Sequence, residues 1–112
     1  VDVWFLDGKF ILGHDNPEYE VDIKFLQRGF LWCHGKNIEA LNIMLARKVH
    51  CFFHNSDEAT ITSWGFIWRF PTANVDAFSR SCVCVLPEWH DFKIPTNCLG
   101  VCTDHVKKLR GY

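Results

Sequence analysis

Six residues in the C-terminal part of the chain have the side chains and the spacing of a metal site: Cys82, Cys84, His90, Cys98, Cys102 and His105. Thiolate and imidazole are the donors that a tetrahedral zinc ion selects. Cys82 and Cys84 are two residues apart, so on a strand both thiols leave the same face. Cys98 and Cys102 are four apart, which on a helix also places them on one face. The two pairs are separated by 13 residues, a connection compatible with a small zinc site. Four thiolates can close the tetrahedron, or His90 or His105 can supply an imidazole in place of one. The expectation is a structural zinc held by residues drawn from Cys82, Cys84, Cys98, Cys102 and His90, with His105, His50 and Cys51 as further candidates.

Two other chemistries use the same residues. Six cysteines are an even number, and a secreted chain can pair them as disulfides such as Cys82–Cys102 or Cys84–Cys98. A thiol hydrolase is the other. Cys98 follows Asn97 at an expected helix N-terminus, where the dipole lowers a thiol pKa, and His54 or His90 can serve as its base. The run from Cys102 to Gly111 resembles the Cys-bearing helix of permuted papain-like hydrolases, which makes Cys98 or Cys102 the nucleophile in that reading. A second cluster gathers Cys33, His34, His50, Cys51 and His54. On a strand, His50 and His54 share a face but stand about 13 Å apart, too far for one metal without a bend. Dinucleotide, P-loop, zinc-protease and serine-hydrolase motifs are absent from the sequence.

The composition places these residues in a globular chain. Of the 112 residues 48% are hydrophobic and 15% aromatic, enough to fill a core and well away from disorder. Residues 1–48 carry six basic and seven acidic side chains, and residues 49–112 carry six of each. Neither half forms a polycationic surface, so nucleic acid is an unlikely partner on electrostatic grounds. No apolar run reaches the ~20 residues of a membrane helix.

The elements that must position the cluster follow from patterning. Two apolar runs flank Asp7-Gly8, the turn chemistry of a tight hairpin. Residues 20–25 alternate polar and apolar like a half-buried strand, and another strand starts at Phe30–Cys33. Asn37 caps a helix over Ile38–Lys48, where apolar residues recur at helical spacing. Strands are expected at Val49–His54, at Thr60–Phe70 with a break at Gly65, and at Cys82–Leu86. The stretch Pro71–Ser81 reads as irregular and Pro87–Asn97 as a loop. Leu99–Arg110 reads as a closing helix stopped by Gly111. The fold class is therefore α+β, mostly β, in two lobes: 1–48 ending in a helix, and 49–112 with the Cys/His cluster and the C-terminal helix.

Several short segments resemble SAWADEE domains, a plant family of tandem Tudor-like folds. The stretch from Val49 to Cys98, with its SCVCVL segment, is similar to the second lobe of that family, which carries a CxC pair. Asp7-Gly8-Lys9-Phe10, the strand Glu20–Phe25 and Trp32 resemble elements of its first lobe. The resemblance implies two small barrel-like lobes, a zinc site in the second, and the reading of methylated lysine in histone tails in the nucleus. Phe25, Phe30 and Trp32, with Asp7, are the expected ligand-binding residues, since aromatic faces attract a cation. The sequence-level expectation is a zinc-stabilised, non-catalytic peptide or histone-tail reader, with a secreted disulfide-bonded protein as the alternative.

Overall fold

The structure is a computed structural model that describes residues 1–71, 79–90 and 93–111. Part of the expected irregular stretch, 72–78, lies outside the described residues. The chain forms two compact units, Val1–Trp64 and Gly65–Tyr112. Its architecture is α+β with strands predominating.

The first unit is built on the hairpin around Asp7-Gly8. Strands β1 (Asp2–Leu6) and β2 (Lys9–Leu12) pair antiparallel, with Leu6 opposite Lys9. Asp7 and Gly8 take φ values of 52° and 78°, the left-handed pair that a two-residue hairpin needs. Strand β3 (Tyr19–Val21) adds to β2, also antiparallel. The strand expected over residues 20–25 stops there, because the Asp22 side chain accepts a hydrogen bond from Phe25 N at 2.9 Å and caps a one-turn helix, α1 (Ile23–Leu26). The chain returns as β4 (Cys33–Gly35), runs through α2 (Ile38–Ala46) and re-enters the sheet as β5 (Cys51–Phe52). β1, β4 and β5 are parallel neighbours, and the sheet order is β3-β2-β1-β4-β5. Strand β6 (Ala59–Ile61) follows in the same unit.

Asn37 fixes α2 on this sheet. Its Oδ1 accepts from Ala40 N as a helix cap and from Phe5 N of β1, while its Nδ2 donates to Phe5 O at 2.9 Å. One side chain thus starts the helix and ties it to the central strand. The core gathers Val3, Phe10, Leu26, Cys33, Ala40, Met44, Val49 and Cys51, so both helices pack on one sheet face. β5 pairs with β4 and so belongs to the first unit, which runs to Trp64.

In the second unit β7 (Ile67–Arg69), β8 (Cys82–Val85) and β9 (Gly100–Cys102) run parallel, with β8 in the middle. A 3-10 turn covers Pro87–His90, and a four-residue helix α3 (Val106–Leu109) ends the unit. The helix expected over Leu99–Arg110 is a strand in its first part. Val101, a β-branched residue that suits a strand, pairs with Cys84, and Gly100 and Cys102 complete the ladder on β8. Among the described residues neither sheet closes into a barrel.

Candidate functional site

Strand β8 presents Cys82 and Cys84 to one side, as the two-residue period requires. Both are buried, at 1% and 0% exposure, and Ile67 and Cys98 pack against them. Three of the expected ligands, Cys82, Cys84 and Cys98, therefore converge. Cys82 Sγ lies 3.5 Å from Ser79 Oγ, and the Cys98 thiol donates to the Pro95 carbonyl at 3.1 Å. Burial pushes the Cys84 thiol up to about 11, with Cys98 and Glu88 adding to the rise. In this arrangement Cys84 is a neutral thiol.

Cys102 is placed differently. The register sets Cys84 opposite Val101 and Val85 opposite Cys102. Paired residues of neighbouring strands share a face, so Val101 joins Cys84 and Cys102 points to the other side of the sheet. The expected i, i+4 pairing of Cys98 with Cys102 fails because Gly100–Cys102 is extended rather than helical. His90 ends the 3-10 turn with its ring edge-on to Phe70, centroids 6.2 Å apart. His105 is the N-cap residue of α3, with no side-chain cap bond. Among the described residues no group of three or more His, Cys, Asp or Glu side chains is arranged to hold a metal ion. Cys82, Cys84 and Cys98, which pack in one cluster, match zinc in donor type. All six cysteines are free thiols.

The second cluster lies in the first unit. Cys33 and Cys51 face each other across β4 and β5 and belong to the core. Burial drives the Cys33 thiol up to about 11 and raises Cys51 as well, which makes both unreactive. The alternate residues Trp32, His34, His50 and Phe52 occupy the opposite face. His50 is 2% exposed, its Nε2 lies 2.8 Å from Thr62 Oγ1, and its ring stacks on Trp64 at 4.3 Å and contacts Trp32 at 4.4 Å. The His34 ring stacks on Phe52 and on His54, with centroids 5.1 and 4.7 Å away. Burial lowers the pKa of both His50 and His54.

One group here has no counterpart in the sequence-based reading. Asp2 accepts from two imidazoles, His14 Nδ1 at 2.6 Å and His34 Nδ1 at 3.2 Å. Burial raises the Asp2 carboxyl, but the hydrogen bonds from His34 and His14 outweigh it and hold the pKa at about 2. His34 Nε2 faces the His54 carbonyl at 3.2 Å. Both of its nitrogens thus face oxygen atoms of other residues. Asp2 and His34 meet through the parallel pairing of β1 with β4, a contact across 32 residues that no local spacing reveals.

The residues expected to bind a cation do not assemble. Phe25 is on α1, packed against the core, and the Arg28 guanidinium lies 4.9 Å from its ring centroid. Trp32 is on the other side of the sheet against His50. Phe30 is 74% exposed, and Asp7 stands in the β1–β2 turn. Among the described residues no helix is long and apolar enough to cross a membrane. Compared with known proteins, the chain matches no family model, no curated protein and no solved structure.

Proposed function

We propose that the chain is a zinc-stabilised binding module that recognises a peptide or protein segment, with a lysine-bearing histone tail in the nucleus as the leading ligand. The observation that supports it most is the meeting of Cys82, Cys84 and Cys98 on the buried side of β8. These three residues would hold the ion, with His90 as the candidate fourth donor. When bound, zinc supplies cross-linking between β8 and the segment before β9, and this becomes folding free energy. Cys98 would give up its hydrogen bond to the Pro95 carbonyl to serve as a donor. Cys84, held as a neutral thiol by burial, would give up its proton to the metal.

The ligand surface in this reading includes Phe30, whose exposure leaves it available to a partner. A single exposed Phe is common on protein surfaces, so the assignment depends on a direct binding measurement. Titration of labelled histone-tail peptides, with and without lysine methylation, checks it by fluorescence anisotropy. The reading expects saturable binding that weakens at least fivefold in Phe30→Ala. Equal, non-saturating signals across all peptides and for Phe30→Ala would reject the peptide-reader assignment.

A further inference from the structure

The second unit holds a cavity of about 440 Å³, lined by Ile94, Val101, Thr103, Val106, Leu109 and Arg110. This volume is within the range of small-molecule sites, which are mostly apolar with a few placed polar groups. The walls come from separate pieces of chain. Val101 and Thr103 leave the same side of the extended segment that includes β9. Val106 and Leu109 are three apart on α3 and face the same way. Both are 47% exposed, so apolar surface is left for a ligand to cover.

Thr103 and Arg110 are the polar side chains among the described residues that line this cavity. The Thr103 hydroxyl donates to Glu88 Oε1 at 2.8 Å, and the same oxygen accepts from Asp104 N at 2.7 Å. Glu88 is thereby held to the chain joining β9 and α3. Among the described residues no carboxylate lies within ion-pair distance of the Arg110 guanidinium. Lys107 and Lys108 precede it in the same short stretch. The Glu88 carboxylate is taken up by Thr103 and the Asp104 amide, which leaves Arg110 as the charged side chain among mostly aliphatic lining residues. A guanidinium binds a carboxylate through paired, charge-assisted hydrogen bonds.

We propose that this cavity binds a single-chain aliphatic carboxylate, with the alkyl chain against Ile94, Val101, Val106 and Leu109 and the carboxylate on Arg110. Val101 shares its sheet face with Cys84, so the site adjoins the cysteine cluster, but none of its lining residues is one of the proposed metal donors.

The test is titration of the whole chain with decanoate, followed by methyl NMR shifts and calorimetry. Decyltrimethylammonium carries the same alkyl chain with the opposite charge, and decanol carries it without charge. Decanoate is expected to saturate with shifts confined to the methyls of Ile94, Val101, Val106 and Leu109. Arg110→Gln should weaken it about tenfold or more, the loss of a hydrogen bond to a charged group, and the cationic analogue should not bind. Leu109→Trp, which fills the cavity, should abolish binding while the thermal melt shows the fold retained. If Leu109→Trp fails to fold, Arg110→Gln decides alone. Equal binding of decanoate and decyltrimethylammonium, shifts scattered over the surface, an unchanged affinity in Arg110→Gln, or no saturable binding of decanoate would each overturn the proposal.

Discussion

Asp2 and the cysteines carry the residue-scale consequences. Asp2 titrates at about 2 in the folded chain, whereas an ordinary Asp titrates near ~3.9. Its ionised form therefore stabilises the fold above about pH 4, and that contribution disappears as the pH falls toward 2. Asp2→Asn should cost roughly 1–2 kcal/mol at pH 6 and progressively less below pH 4. Urea denaturation of both proteins at pH 6, 4 and 2.5 measures this, and a constant difference across that range contradicts it. Alkylation of the metal-free protein orders the thiols by access and ionisation. Cys98 and Cys102, which are partly exposed, should react with iodoacetamide well before Cys33, Cys51 and Cys84, as peptide mapping by mass spectrometry can show.

At the scale of elements, Asn37 and Gly13 are the sharpest points. Asn37→Ala removes the α2 cap and both bonds to Phe5, and about 2–3 kcal/mol of stability should go with them. Asn37→Asp keeps the acceptor and loses only the donor, so its cost should be smaller in the same denaturation assay. A Cβ on Gly13 would stand 1.8 Å from the Asn16 carbonyl oxygen. Gly13→Ala therefore forces the loop after β2 to move and should lower the melting temperature. The first hairpin and α2 were legible in the sequence because their signals are local: Asp7-Gly8 for the turn, and Asn37 with helical spacing for the helix. The strand over 20–25 was cut short by a cap that Asp22 forms with Phe25, which competes with alternation over only six residues. Gly100–Cys102 is extended because the β8 ladder, a contact with residues 83–85, overrides local helical spacing. The same ladder turns Cys102 away from the cluster. The convergence of Cys82 and Cys84 was legible, since strand period alone sets it, but the arrival of Cys98 depends on tertiary packing.

For the whole molecule, the two units have their own cores and differ in how those cores are made. The first buries Val3, Leu26 and Met44 under two helices. The second has a small cluster centred on Cys82 and Cys84, with Val83 and Val85 buried on the same strand, and small cores are where a bound metal contributes most. Chelation should therefore melt the second unit while the first retains its protected amides, a difference that hydrogen exchange resolves. The most direct measurement is zinc content of the chain purified under reducing conditions without chelator, for the natural sequence and for Cys84→Ser and Cys102→Ser. The account predicts about one zinc per chain, lost in Cys84→Ser and retained in Cys102→Ser, whose side chain leaves the opposite face of β9. Zinc near zero in the natural chain, or loss in Cys102→Ser with retention in Cys84→Ser, would contradict it.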